Sequence, residues 1–268
     1  MMTNKLYLMI AVILVAGCTA PVLPDPVIVA HRGASYYAPE NTIPAFMLAW
    51  EQDADAIEGD FYLTSDGEIV CIHDSNTGRV ADTNMLVSES TLNELRKLDV
   101  GSWKGAEWEG TIMPTLAEVF EIVPQGKKIF VEIKTGTEIL QKLYEEIERS
   151  SLVPDQIVLI SFNSEVIKEF KARRPMHKAF WLSGFREDEH GNVTPGLETI
   201  LATLEDIGAD GFSSHHSLVT TEIIDEVVAA GYQYHVWTVN DASIARDFKQ
   251  YGASSITTDR PGYIRNNL

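Results

Sequence analysis

Residues 56–62 read Ala56-Ile57-Glu58-Gly59-Asp60-Phe61-Tyr62, a β-prone run whose two carboxylates stand two positions apart among apolar neighbours. Side chains of a strand alternate between its faces, so Glu58 and Asp60 point the same way. Just beyond, Ser65-Asp66-Gly67-Glu68 and then Ile69 to His73 read as a tight turn and a returning strand, a hairpin that extends the first. The spacing of two recurs in Glu132 and Lys134 and, on the hairpin strand, in Cys71 and His73. In a barrel, such a shared face is the interior or its rim.

On either side, short apolar runs alternate with helix-period segments, the pattern of βα units around a parallel sheet. Eight strands are expected: Val27 to His31, Ala56 to Tyr62, Ile129 to Lys134, Ile157 to Phe162, Ala179 to Leu182, Gly211 to Ser214, Tyr234 to Val239 and Ser255 to Thr257. Asn41-Thr42 caps a helix to Gln52, Ser88 opens one to Leu98, and Thr115 opens one to Val123. Further helices are expected over Glu138 to Ser150, Ser164 to Ala172, Leu197 to Ile207, Thr221 to Ala230 with Gly231 at its C-terminal cap, and from Asp241 to Tyr251. Trp103 to Met113 has weak periodicity and reads as an ordered loop. The pattern predicts an α/β fold, a closed (β/α)8 TIM barrel with a hairpin extension after strand two, filling residues 27–268 as one domain.

Carboxylates facing a barrel interior are costly unless paired or bound to a cation. Glu58, Asp60 and Glu132 offer oxygen ligands without thiolate, a hard set suited to one divalent cation, Mg2+ or Ca2+. The competing reading is a structural network in which Glu58 or Asp60 bonds Arg32 or Lys134. His31 and Arg32 end strand one just before Gly33, on the face where barrel enzymes place their sites. A guanidinium offers phosphate a bidentate fork, and an imidazole exchanges a proton near neutral pH. His73 ends its strand close by. Phosphodiester cleavage needs a base, an acid and positive charge on the non-bridging oxygens, and two histidines, one metal, Arg32 and Lys134 supply all three.

The chain carries 21 basic and 39 acidic residues, a formal net charge of −18, which argues against nucleic acid or an anionic bilayer surface as the main partner. An anionic substrate then requires a local concentration of positive charge. At the N-terminus, Lys5 precedes an apolar run from Leu6 to Gly17, about a dozen residues where a bilayer span needs ~20. It reads as an export signal. Val15-Ala16-Gly17-Cys18 resembles the lipobox of bacterial lipoproteins, which predicts a signal peptide over 1–17, a lipidated Cys18, and a proline-rich tether over 18–26. The expected location is membrane-anchored, at the outer membrane facing the periplasm, since Thr19 is not the Asp associated with inner-membrane retention. Only Cys71 remains besides Cys18, so no internal disulfide framework exists.

His31-Arg32-Gly33-Ala34-Ser35, Pro39-Glu40-Asn41-Thr42 and Ala45-Phe46 resemble the opening block of the glycerophosphodiester phosphodiesterases, metal-dependent barrel enzymes. Asp55-Ala56-Ile57-Glu58 with Asp60, Leu63-Thr64, Asp66-Gly67 and His73-Asp74 resemble the second block. Val131-Glu132-Ile133-Lys134, Ser161-Phe162, Val236-Trp237-Thr238-Val239-Asn240 and Thr258-Asp259-Arg260-Pro261 resemble later motifs in their usual order. The resemblance implies Glu58, Asp60 and Glu132 as metal ligands, His31 and His73 as the acid and base pair, and Arg32 and Lys134 as phosphate binders. It also suggests Trp237 as an apolar wall for the glycerol side. Gly59, Phe61 and the segment Ser75 to Asn84 depart from the family's pattern.

The implied activity is hydrolysis of a small glycerophosphodiester to sn-glycerol 3-phosphate and an alcohol. The alternatives are phospholipase-like cleavage of an intact lipid, which predicts an apolar rim beside the site, and a lipoprotein that binds phosphodiesters without turning them over. Asn240 is read as stabilising a strand-to-helix turn, His215 and His216 as a solvated loop pair, and Cys71 as a small core residue.

Overall fold

The computed structural model describes residues 24–268. The expected signal peptide, Cys18 and most of the expected tether lie outside the described residues. Eleven strands are described: β1 Val27–Ala30, β2 Ala56–Leu63, β3 Ile69–Cys71, β4 Lys128–Ile133, β5 Ile157–Ser161, β6 Lys178–Ser183, β7 Arg186–Glu187, β8 Val193–Thr194, β9 Gly211–His215, β10 Gln233–Trp237 and β11 Ser255–Thr258. Eight of them, β1, β2, β4, β5, β6, β9, β10 and β11, run parallel in that order, and β11 pairs with β1 to close the ring. The closing register sets Val27 opposite Ser255 and Ala30 opposite Thr258. This is the expected barrel, and β3 runs antiparallel to β2, with Phe61 opposite Cys71, as the expected hairpin.

Helices follow the strands: α1 Ile43–Glu51, α2 Leu92–Leu95, α3 Leu116–Glu121, α4 Leu140–Arg149, α5 Ser164–Arg173, α6 Leu197–Ile207, α7 Thr221–Ala229, α8 Ala242–Gln250 and α9 Pro261–Asn267. Side-chain caps fix several starts: Thr42 accepts from Ala45 N–H, Asn163 from Glu165, and Asp241 from Ser243 and Ile244. The helix expected from Ser88 to Leu98 is corrected. Thr91, not Ser88, is its cap, in a box with Glu94, and only Leu92–Leu95 is α-helical, with Val87–Glu89 a separate 3-10 turn. The β7–β8 hairpin and α9 were not expected, and a 3-10 turn at Ala106–Trp108 lies within the expected loop.

Alternation along β2 sorts its residues as expected. Ile57 and Phe61 pack outward into the large core between sheet and helices, and Ala56 packs inward with Val29, Phe130, Val158, Ile160, Phe180 and Leu182. Gly59 faces outward as well. A Cβ there would lie 3.1 Å from Cys71 Sγ and 3.2 Å from the rings of both Phe46 and Phe61, so the three together crowd the place of a side chain. Cys71 belongs to this outer core. The expectation that it shares the barrel-facing side with His73 is corrected: β3 lies outside the ring, and His73, past the strand's end, turns back to the cavity. A third small core of Val70, Ile72, Val80, Val87, Leu95, Val100 and Met113 seats the excursion between β3 and α3.

Candidate active site

Glu58 and Asp60 on β2 and Glu132 on the neighbouring β4 meet at the C-terminal end of the barrel, with one oxygen of each within 4.8 Å of the others. All three are buried. Glu58 Oε2 accepts the backbone N–H of Arg32 at 2.9 Å, while its Oε1 is buried without a partner. Burial, with Asp60 and Glu132 beside it, pushes the Glu58 carboxyl well above its ordinary range. Burial and Asp60 likewise push Glu132 up to about 7, although Lys134 works against them. At Asp60 burial is outweighed by Arg32 and Lys134, which hold it below its ordinary value.

The structural network anticipated as the alternative is partly present. Arg32 Nε stands 3.2 Å from Asp60 Oδ2, and Lys134 Nζ lies 2.7 Å from Glu132 Oε1 and 3.3 Å from Asp60 Oδ1. Asn41 braces Asp60 twice, Nδ2 donating to Oδ2 at 2.8 Å and Oδ1 accepting the Asp60 N–H at 3.1 Å. Arg32 also donates to Glu40 at 3.0 Å. Four carboxylates thus face two cations. Both cations are therefore already held by carboxylates on the barrel rim, which fixes where each can meet a phosphate. An orphaned buried oxygen and two carboxyls held high are what a bound cation would relieve, and the all-oxygen donor set fits a hard divalent ion.

The two histidines are each held from behind. His31 Nδ1 is 2.7 Å from Asp259 Oδ1, and His73 Nδ1 is 2.6 Å from Asp74 Oδ1. An ionised carboxylate only accepts, so Nδ1 carries the proton and Nε2 is left for chemistry. Asp259 also accepts from Ser35 Oγ at 3.0 Å and Asn240 Nδ2 at 2.6 Å. Against the effect of its burial, these bonds hold it down at about 2. Asn240 thus does more than the expected turn: its Oδ1 takes Thr258 Oγ1 and the Asp259 N–H, joining the turn after β10 to that after β11. Burial lowers His73, so its imidazole is neutral at neutral pH.

Arg79 links the two sides. Its Nε donates to Asp74 at 2.7 Å, and its terminal nitrogens donate to both oxygens of Glu40 at 2.8 and 2.9 Å. One guanidinium thereby steadies the partner of His73 and the partner of Arg32. Arg79 lies in the divergent Ser75 to Asn84 segment, and the residues themselves carried no sign of its reach.

His31, Arg32, Glu58, His73, Glu132, Lys134 and Trp237 line one cavity of about 130 Å³, and Asp60 lies beneath them. Phe162, half exposed, packs edge-on against Trp237 at 5.6 Å and makes part of the mouth apolar. His215 and His216 stay outside the cavity lining, but they are not the expected solvated loop pair: His215 ends β9, both are half-buried, and the His215 ring packs edge-on behind Trp237 at 5.3 Å. Cys71 Sγ lies 3.2 Å from Asn41 Oδ1, and burial raises its thiol well above the ordinary range, consistent with a packing role. The tight turn that delivers His31 and Arg32 depends on Gly33. Its φ is +83°, and a Cβ there would fall 2.6 Å from the Ala45 backbone.

The model of the glycerophosphoryl diester phosphodiesterase family matches residues 31–263. A glycerophosphodiester phosphodiesterase of Caldanaerobacter subterraneus is 32% identical over 89% of this chain and 96% of its own length. One from Bacillus subtilis is 27% identical over 89% and 85%. The structure of an Oleispira antarctica phosphodiesterase in complex with the product sn-glycerol-3-phosphate superposes with a TM-score of 0.80 at 28% identity, covering 91% of this chain and 96% of that one. With the match running from the first strand's end into the last helix, the chain belongs to the glycerophosphoryl diester phosphodiesterase family of enzymes.

Proposed function

We propose that the chain hydrolyses small glycerophosphodiesters to sn-glycerol 3-phosphate and an alcohol, using His31 and His73 as a proton-transfer pair and one divalent cation, Mg2+ or Ca2+. The carrying observation is that two carboxylate-backed imidazoles and a three-carboxylate cluster face one cavity. Glu58, Asp60 and Glu132 would hold the cation, which supplies positive charge to the phosphoryl oxygens. Arg32 and Lys134 orient the phosphate, and Trp237 with Phe162 shields one side from water. His73, neutral and near Asp60, is suited to take a proton from the nucleophile. His31, against the charged Asp259, is suited to give one to the departing alkoxide.

The activity is tested by incubating the purified protein with glycerophosphocholine, glycerophosphoethanolamine and glycerophosphoglycerol, with Mg2+, Ca2+ or a chelator, and assaying released glycerol phosphate. Metal-dependent release is expected. Tight binding without release would replace this reading with the non-catalytic one. The two roles separate by leaving group: His31→Ala should recover on a nitrophenyl diester, which needs no acid, and His73→Ala should not.

A second reading is favoured by the apolar edge at Phe162, namely cleavage of acyl-bearing lysophospholipids. Comparing turnover of glycerophosphocholine with its monoacyl form decides between them. The expected anchor weighs toward soluble substrates. The described chain enters β1 from the barrel end opposite His31, and residues 18–23 extend at most about 20 Å. A lipidated Cys18 at the outer membrane, facing the periplasm, would hold that end, not the site mouth, against the bilayer. Cys18→Ser should abolish lipid labelling and release the protein, and unchanged labelling would remove the anchor from the proposal.

A further inference from the structure

Below the carboxylates the cavity continues into the barrel and ends on polar side chains with no part in the chemistry above: Ser213, His235, Ser255 and Thr257. His235 is only 4% exposed. Its ring stacks on Phe180 with centroids 3.8 Å apart and presents to Phe130 edge-on at 6.3 Å. Nδ1 is 2.7 Å from Ser255 Oγ, whereas Nε2 is buried without a partner. An unsatisfied buried nitrogen forfeits roughly 1–3 kcal/mol, so a ligand or a water that completes it is stabilising.

The chemistry of that ligand is constrained. Burial pushes His235 down to about 3, so the ring is neutral and offers no charge to an anion. Ser255 Oγ can give or accept, which leaves Nε2 an acceptor in one tautomer and a donor in the other. A hydroxyl suits both. The facing wall of Phe130, Ile160 and Leu182 is apolar, and because the whole cavity, site and extension together, is about 130 Å³, only a short carbon chain fits beyond the phosphate. Of a glycerophosphodiester's two ends, the glycerol is short and constant, and the other alcohol varies in size and belongs at the open mouth.

We propose that His235 Nε2 hydrogen-bonds a hydroxyl of the substrate's glycerol moiety, making His235 a specificity residue for glycerol diesters over diesters of less hydroxylated alcohols. This rests on the glycerophosphodiesterase reading. The test compares glycerophosphocholine with two analogues in which propane-1,2-diol or propane-1,3-diol replaces glycerol, each lacking one hydroxyl. Wild type, His235→Leu and His235→Gln are assayed for kcat and KM, with folding followed by thermal unfolding.

Wild type should prefer the glycerol diester over one analogue by about 10-fold in kcat/KM, the worth of one neutral hydrogen bond. His235→Leu should erase that preference, mainly through KM, and His235→Gln should keep part of it. A wild type indifferent to both analogues overturns the proposal. So does a His235→Leu that slows all substrates by one factor, which marks a purely structural residue holding at most a water. If the leucine variant does not fold, Ser255→Ala, which releases Nδ1, is held to the same comparison. If wild type turns over none of the diesters, the activity reading fails separately. Calorimetric binding of glycerol 3-phosphate against the two propanediol phosphates then decides the role of His235 by the same ratios.

Discussion

Glu58 takes the backbone N–H of Arg32 on one carboxylate oxygen at 2.9 Å and leaves its other oxygen buried and bare. Burial and the neighbouring Asp60 and Glu132 hold this carboxyl high, and a cation against the bare oxygen would relieve that cost. A divalent cation at 100 times its Kd adds about 2.7 kcal/mol, which for a domain of this size raises Tm by about 5–10 °C. Glu58→Gln should abolish that rise, leave the metal-free Tm unchanged or higher, and lower turnover about 100-fold or more. Thermal unfolding with and without Mg2+ or Ca2+ reads it. A metal-free Tm that drops sharply would mean that Glu58 serves the fold instead.

Asp259→Asn replaces the carboxylate that keeps the proton on His31 Nδ1 with a neutral amide, whose NH2 can face the ring and favour the other tautomer. Turnover should fall by about 10²–10⁴ while the barrel remains folded. Because the two residues act as a unit, the double variant with His31→Ala should be no slower than His31→Ala alone. Additive losses in the steady-state kinetics would contradict the pairing.

Arg79 has a side chain 41% exposed, so Arg79→Ala should cost less than about 1 kcal/mol in chemical denaturation. Its effect on turnover should be far larger, about 10-fold or more, since both Asp74 and Glu40 lose their tether. Arg79→Lys should not restore the rate, because an ammonium cannot fork between two carboxylates. Equal rates for wild type and both variants would leave the network without a catalytic role.

His235 also imposes a pH signature on stability. Unfolded, the ring protonates near 6.5, and folded it resists until about 3. Between those values the unfolded chain binds the extra proton, so acid favours unfolding. The stabilising contribution is complete above pH 6.5 and is lost as pH falls toward 3, at roughly 1.4 kcal/mol per unit. Urea unfolding at pH 7, 6, 5 and 4.5 should show a shallower decline for His235→Gln than for wild type. Parallel declines would place the acid sensitivity elsewhere.

The barrel was legible in the residues because each strand carries its own period and each βα unit its own breaks. All seven groups of the expected site converge, since strand alternation turns Glu58, Asp60 and Glu132 to one side and Lys134 follows directly on the end of β4. What could not be read was pairing across the ring. Asp259 and Arg79 contact their partners through closure and through the excursion's own core, which no local pattern encodes. The misplaced start of α2 had a local signal: Thr91 stands three residues before Glu94, the spacing of a capping box, and Ser88 lacks it. The two-residue strands β7 and β8 and the terminal α9 are too short for periodicity to show.

The His31–Asp259 contact joins positions 228 residues apart, one just after the first strand and the other just after the last. A chain interrupted between residues 132 and 259 would already hold Glu58, Asp60 and Glu132 but not the carboxylate that orients His31. The proposed proton-transfer pair is therefore complete only once β11 lies beside β1. If His31 acts as proposed, catalytic rate in a preparation counts the molecules whose ring has shut.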